Sequence, residues 1–259
     1  MNPIDADAAW LHDQHAARAR FVTTPPPSVT TMEAAYDVQQ RFVALMQRDA
    51  GELVGYKIGL TSPRMQAMCG IDEPVCGAVL ATRVHASAAV VRRSAHGRLG
   101  LEFEIAMRIG RATDALRDDH TADTIQPHVD AVCAAVELVD DRQADYKQLD
   151  VRGLVADNSW NAGVVLSNFV TTWPDLPAVE GTVRVGSEVI DRGHGRDVLG
   201  DPFTAVAWLA NHLAARGDRL LPGHIVMTGS LVPTRFPTED ATYHFELAGI
   251  GVVSVGVCA

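Results

Sequence analysis

Residues 101–109 read LEFEIAMRI, a segment in which apolar and polar or small side chains alternate. Leu101, Phe103, Ile105, Met107 and Ile109 fall on one side, and Glu102 and Glu104 on the other. A period of two, in place of the helical 3.6, predicts a strand with one face in the core. Two positions along a strand advance the chain by about 6.6 Å, so the two carboxylates can converge on one point in front of the sheet. A solvated outer face accounts for them equally well from this segment alone.

The next decisive stretch is 131–139, AVCAAVELV, where the neighbours of Glu137 are apolar or small on both faces. Such a run predicts a strand buried on both sides. An unpaired buried carboxylate is costly or takes up a proton, so Glu137 requires a cation. An arginine, for which Arg142 is a candidate, would serve; so would a divalent metal shared with Glu102 and Glu104. Hard carboxylate oxygens suit Mg²⁺ or Mn²⁺, and three of them leave positions for substrate and water. The ten histidines show no HxxxH or HxH spacing, which disfavours zinc.

Further strands are expected over 53–60, 183–190, 224–228 and 251–257, bounded by glycine and proline. Within 183–190, Val185-Gly186-Ser187-Glu188 reads as a hairpin turn. Helical patterns cover about 6–21 and a second segment that opens with Thr30 and Glu33 at capping-box spacing. This second helix sets Ala35, Val38, Phe42, Leu45 and Met46 on one face and stops at Gly51. Pro25-Pro26-Pro27 separates the two. A late helix has Asp201 as N-cap and Pro202 at its first position, with Ala205, Trp208, Leu209 and Leu213 facing inward. Many strands with few helices between them predict an antiparallel or mixed β core, not a doubly wound sheet. The expected organisation is a helical lead-in over 1–50 and a β-rich catalytic body over 51–259.

A length of 259 residues with 47% hydrophobic and 21% charged residues describes a globular chain with a sizeable core. A net charge of -10 argues against nucleic acid as a partner. A small anionic substrate is not excluded, because one metal ion reverses the sign of a local site. Neither GxGxxG nor GxxxxGK[ST] occurs. No stretch approaches the roughly 18 apolar residues of a membrane span, and the N-terminus lacks a signal-peptide pattern. Cys69, Cys76, Cys133 and Cys258 form no CxxC pair, and reduced thiols in a cytoplasmic protein are expected.

Seven segments in order carry a resemblance: GYKIGLTSPRMQ (55–66), GIDEPVCG (70–77), LEFEIA (101–106), AAVELVDDR (134–142), VADNSWNAG (155–163), LGDPFTAVAWLAN (199–211) and GHIVMTGSL (223–231). Together they resemble the 2-keto-4-pentenoate hydratase and 4-oxalocrotonate decarboxylase group of the fumarylacetoacetate hydrolase superfamily, from about residue 31 to 257. The resemblance implies an α+β fold, a mixed β-roll or sandwich with an N-terminal helical portion. It implies a homo-oligomer, associated in some cases with a partner enzyme of the same pathway, and a small 2-oxo or 2-hydroxydienoic acid as substrate. Glu102, Glu104 and Glu137 fall where the family places its Mg²⁺ or Mn²⁺ ligands. Lys57 matches the lysine that faces the substrate, and Asp72 an acidic residue near the same site. Ser159 and Asn161 match polar wall residues. Gly229 and Ser230 match a turn whose N–H groups approach the substrate carboxylate.

Each match has a plainer reading: Lys57 as a surface lysine, Asp72 and Gly229-Ser230 as turn formers, Asp157 and Asn158 as loop caps, Arg142 and Lys147 as structural or rim residues. The favoured activity is water addition to a 2-hydroxy-2,4-dienoate, with 2-oxo acid decarboxylation second, because no basic cluster committed to a further carboxylate is identifiable. A C–C hydrolase is disfavoured: that branch carries a lysine shortly before the aspartate matching Asp157, and residues 152–156 here contain none. A 2-oxo acid tautomerase and a non-catalytic scaffold are the remaining alternatives.

Overall fold

The computed structural model describes residues 2–259. The Asn2 side chain caps helix α1 (Pro3–Ala16) by accepting from the Ile4 N–H, and Pro3 sits where a missing N–H costs nothing. The helix starts and ends earlier than the pattern over 6–21 suggests. Arg18 adopts a left-handed φ of 50°, and the Ala19 N–H donates back to the Gln14 carbonyl, so the chain turns off before Phe21. Helix α2 (Met32–Ala50) is capped by Thr31, not Thr30. The Thr31 Oγ1 accepts from Ala34 N, whereas the Thr30 carbonyl is taken by Arg152 Nη1; Glu33 therefore lies one position too early to close a capping box. Gly51 ends α2 with a φ of 78°.

From there the chain forms β1 (Leu53–Gly59), α3 (Pro63–Cys69), β2 (Val75–Leu80), β3 (Val84–Ala86), β4 (Ala89–Arg92), β5 (Leu99–Ile109), α4 (Ala122–Ile125), β6 (Val129–Asp140), α5 (Val151–Ala156) and β7 (Asn161–Leu166). The remainder is β8 (Glu180–Val185), β9 (Glu188–His194), α6 (Pro202–Ala215), β10 (Ile225–Ser230), β11 (Ala241–Leu247) and β12 (Gly251–Cys258). The expected strand over 183–190 is the hairpin β8–β9, turning through Gly186 and Ser187. Asp201 and Pro202 start α6 as expected; Trp208 is only partly buried, its indole N–H reaching Glu73.

Two mixed sheets result. Seven strands run in the order β2-β1-β10-β5-β6-β7-β3, and five in the order β4-β12-β11-β8-β9. The pairs β1–β10, β3–β7 and β4–β12 are parallel and the rest antiparallel. The apolar face of β5 packs against the smaller sheet: the Phe103 ring lies 5.5 Å from that of Phe245 and 6.3 Å from that of Tyr243. Leu101, Phe103, Ile105, Met107 and Ile109 are all fully buried. The period-two reading thus sets both the core and the direction of the glutamates. Among the described residues, no helix is long and apolar enough to cross a membrane.

The outer edge of β2 is closed by side chains instead of another strand. Cys76 N donates to the Tyr36 hydroxyl, and the Cys76 carbonyl accepts from Gln39 Nε2. Asn158 both accepts from Ala78 N at 2.7 Å and donates to Ala78 O at 2.9 Å. This seating requires Gly77, because a Cβ there would lie 2.5 Å from the Asn158 carbonyl oxygen. Gly77→Ala should therefore cost about 1–3 kcal/mol of stability, as other overpacked sites do. Urea unfolding measures it, and an unchanged midpoint would show that the segment does not need the close approach.

Candidate metal centre and active site

Antiparallel register sets Glu102 on β5 directly opposite Glu137 on β6, and Glu104 two residues along the same face. Ligand oxygens of the three side chains all lie within 4.8 Å of one another. Glu104 and Glu137 are fully buried, and Glu102 is partly exposed. Arg142 is not the cation that Glu137 requires, since its guanidinium pairs with Asp157. Lys57 on β1 takes that place, its Nζ 3.3 Å from Glu137 Oε1 and its side chain nearly sealed from solvent.

The cluster has more acceptors than donors. Gly229 N donates to Glu104 Oε2 at 2.8 Å, Asn161 Nδ2 to Glu137 Oε1 at 2.9 Å, and Thr234 Oγ1 to Glu102 Oε1 at 2.5 Å. Among the described residues, Glu104 Oε1 and Glu137 Oε2 are buried with no hydrogen-bond partner. Three carboxylates against one ammonium leave a formal surplus of two negative charges. Burial, then repulsion from Glu137 and Glu102, pushes Glu104 well above the usual carboxylate range. Burial also raises Glu137, to about 7, with Lys57 opposing and Glu102 adding to the rise. For Lys57 burial favours the neutral amine, but Glu137, Glu102 and Glu104 together outweigh it and raise the ammonium pKa. A divalent cation fits this donor set: it cancels the surplus charge and gives both orphaned oxygens a partner.

Gly229 and Ser230 are the last residues of β10, not a turn. The ladder with β5 shifts register between Met227 and Ser230, and Gly229 takes a φ of 114°. A Cβ at Gly229 would lie 2.4 Å from Thr61 Oγ1. The Gly229 N–H expected for the substrate is instead spent on Glu104. Ser230 Oγ accepts from Phe103 N and donates to the Val232 carbonyl, which fixes the chain that brings Thr234 to Glu102.

Ser159 and Asn161 arrive through an unusual backbone. Asn158, Ser159 and Trp160 carry φ values of 52°, 48° and 60°, three consecutive left-handed residues without a glycine. That conformation costs about 1–2 kcal/mol per residue and persists only where its surroundings dictate it. Here the Asn158 clasp on Ala78 and the bond from Ser159 Oγ to the Cys76 carbonyl hold it. On the other side, buried Asp157 is gripped by Arg142 and by His15 of α1. Asp157 and Asn158 are thus anchors of a strained turn, more than loop caps. The turn brings Trp160 edge-on between Phe21 and Tyr146 and presents Asn161 to Glu137.

Lys57, Glu102, Ser159 and Ser230 line a cavity of about 500 Å³ whose remaining wall is largely apolar, including Met65, Leu149, Leu154 and Trp160. Asp72 does not join them. It is exposed in the loop between α3 and β2 and does not line the cavity. Residues that sequence reading passes over do contribute: Thr234 bonds Glu102, and Thr61, Tyr146 and Arg64 line the wall. Arg64 lies inside the quoted segment GYKIGLTSPRMQ, but nothing in its spacing marks it; only the turn into α3 brings it round.

Comparison with known proteins gives a consistent picture. The family described as fumarylacetoacetate (FAA) hydrolase C-terminal matches residues 71–258. The chain is 36% identical to a 2-keto-4-pentenoate hydratase of Burkholderia vietnamiensis, over 97% of this chain and 96% of the relative. It is 30% identical to a 4-oxalocrotonate decarboxylase of Pseudomonas putida, over 94% and 89% of the two chains. Among solved structures, 4-oxalocrotonate decarboxylase from Pseudomonas putida G7, complexed with magnesium and adipate, superposes with a TM-score of 0.87 at 25% identity, covering 98% of this chain and 97% of that one.

The raised carboxylates dictate how a cation should stabilise the fold. Their folded pKa values exceed the unfolded values near 4.3, so metal-free stability is fully present below that range and declines as pH rises through about 7. Cation binding needs both groups ionised. The gain in Tm on replacing EDTA with excess Mg²⁺ should therefore be small at pH 5 and large at pH 8. Glu104→Gln should fold and show little gain at either pH. An equal gain at both pH values, or an undiminished gain in Glu104→Gln, would remove these carboxylates from the binding site.

Proposed function

The chain belongs to the fumarylacetoacetate (FAA) hydrolase family, and from that premise we propose that it is a metal-dependent hydratase, adding water to a 2-hydroxy-2,4-dienoate of the 2-keto-4-pentenoate type. The observation that carries this reading is the surplus of two negative charges buried beside a cavity sized for a small organic acid. Glu102, Glu104 and Glu137 would hold the cation, and an all-oxygen donor set suits Mg²⁺ or Mn²⁺. When bound, the ion supplies Lewis acidity toward the carboxylate and C2 oxygen of a 2-oxo acid.

The chain's own residues do the rest. Lys57, kept as an ammonium by its carboxylate neighbours, has three N–H donors, of which Glu137 occupies one direction. The others face the substrate carboxylate and the C2 oxygen, where negative charge grows. Ketonisation moves the C2 hydroxyl proton to C5; addition then sets hydroxide on C4 and a proton on C3. Lys57 Nζ, already an ammonium, gives one proton to C5 and is restored by the proton released from the C2 hydroxyl. Ser159 lines the polar end, and Asn161 orients it by fixing Glu137. Leu149, Leu154 and Trp160 keep bulk water from the reacting carbons. Gly229 acts through Glu104, whereas Ser230 lines the cavity and also fixes the chain that carries Thr234. Asp72, exposed and off the cavity wall, has no part in this reading. The family resemblance also supports a homo-oligomer, with association to a pathway partner enzyme, and residues 1–50 as a lead-in to a catalytic body over 51–259.

Loss of CO₂ from a 2-oxo acid would use the same groups, and the likeness to the Pseudomonas putida G7 decarboxylase favours that as the second reading. An assay with Mg²⁺ or Mn²⁺ on 2-hydroxypenta-2,4-dienoate and on 2-oxohex-3-enedioate, with CO₂ detection, separates the two. Hydration without gas is expected, and gas release would replace hydratase by decarboxylase. Lys57→Met should lower kcat by about 10²-fold or more, in line with loss of a positioned acid–base group. Near-normal kcat in that variant would take the proton shuttle away from Lys57.

A further inference from the structure

The charged end of a small acid needs hydrogen-bond donors, and most of those around the cavity are already spent. The Gly229 N–H is held by Glu104, and Lys57 gives one direction to Glu137. Six residues on the cavity wall carry hydroxyls. Ser159 donates to the Cys76 carbonyl, Ser230 to that of Val232, Tyr146 to Asp141 and Thr234 to Glu102. Ser62, half-buried, caps α3 by accepting from Met65 N. Thr61 alone is a buried residue whose hydroxyl has no hydrogen-bond partner among the described residues. The Trp160 indole N–H is unpaired as well, but its nitrogen is sealed from solvent. A sheltered hydroxyl without a partner is costly, which marks Thr61 Oγ1 as a donor that a ligand completes.

Local backbone strain puts it there. Lys57 and Gly59 share a face of β1, and a Cβ on Gly59 would lie 3.3 Å from Lys57 Nζ, so the ammonium curls toward the end of the strand. Leu60 then takes a left-handed φ of 57°, which a leucine adopts only where its surroundings impose it. Buried Gln66 donates to the Leu60 carbonyl at 3.0 Å, and the Leu199 N–H to the Thr61 carbonyl at 3.2 Å. The pinned turn seats Thr61 Oγ1 against Gly229, the residue whose N–H holds Glu104. We propose that the Thr61 hydroxyl donates to the substrate carboxylate, taking the part that the Gly229 N–H cannot play. With one carboxylate oxygen and the C2 oxygen turned to the three glutamates' cation site, Thr61 and Lys57 meet the other oxygen from the end of one strand. A threonine hydroxyl keeps its proton, so this contact fixes the acid without entering the proton transfers. The assignment rests on the reading above only in taking a 2-oxo or 2-hydroxydienoic acid as the ligand.

Because the hydroxyl has no partner in the protein, Thr61→Val and Thr61→Ala should fold with undiminished Tm. Calorimetry on the Mg²⁺-loaded protein compares binding of 2-oxopentanoate to wild type, to these two variants and to Thr61→Ser. The hydroxyl-free variants should bind the acid about tenfold more weakly, as loss of one hydrogen bond to a charged group gives. Thr61→Ser should stay near wild type, and Mg²⁺ affinity without the acid should be the same in all four proteins. In turnover of 2-hydroxypenta-2,4-dienoate, Thr61→Val should raise KM about tenfold at unchanged kcat, since a carboxylate contact is the same in the ground and transition states. Undiminished binding in the hydroxyl-free variants, or an equal loss in Thr61→Ser, would overturn the assignment. A parallel fall in Mg²⁺ affinity would overturn it too, by making Thr61 a support for Glu104. A fall in kcat at unchanged KM would move the contact from the carboxylate to the C2 oxygen and so refute it. Should no dienoate be turned over at all, the hydratase reading falls while the calorimetry still decides on Thr61.

Discussion

Negative charge without enough positive charge, largely buried at the floor of a cavity, is the constraint on which this molecule is built. Two glutamates with no accessible surface and a third beside them face one lysine. Left so, the group costs the fold stability at neutral pH, because desolvated carboxylates are expensive and like charges add to the expense. A protein tolerates that arrangement where a cation completes it. The surrounding donors satisfy one oxygen of each glutamate and leave the others open. A site that satisfied every oxygen internally would have no use for an ion.

The sheet order explains why five residues from four strands meet. β1, β10, β5 and β6 are consecutive neighbours, so Lys57, the Gly229 N–H, the two glutamates of β5 and Glu137 fall on one face in adjacent strands. Sheets place side chains with little freedom, and that stiffness suits a ligand set. The loop elements bring less regular contributions. The left-handed run through Asn158, Ser159 and Trp160 brings Asn161 to Glu137 at the expense of local strain, held by bonds to β2 and by the Asp157 anchor. Rigid strands hold the charge, and a strained turn trims the cavity.

Much of this was readable in the residues because it depends on parity. Period two over 101–109 gives the face of Glu102 and Glu104, and an apolar run around Glu137 gives burial; neither needs knowledge of the neighbouring chain. What could not be read depends on long-range approach. Thr234 meets Glu102 across 132 residues with no periodic signal. The Gly229 N–H looked available to a ligand because its use by Glu104 follows from a register shift that sequence does not display. Asp72 sits in a family motif, yet its loop faces solvent. Arg142 was a fair candidate for Glu137 by proximity in sequence, but burial of Asp157 claims it. The expected strands leave out β2, β3, β4, β7 and β11, whose runs are short or interrupted and which acquire strand character from their partners.

The turn at Asn158 has one more effect, on solubility. β2 ends the larger sheet, and an unpaired sheet edge is a template on which a strand from another molecule can add. Here the outward N–H groups of Cys76 and Ala78, and their carbonyls, are already taken by Tyr36, Gln39, Asn158 and Ser159. The segment that shapes the cavity wall therefore also closes this buried margin of the sheet against intermolecular β-aggregation. Evolution of the cavity through this turn is restrained by a hazard unrelated to catalysis: loosening it to admit a different ligand would also uncover a sticky border.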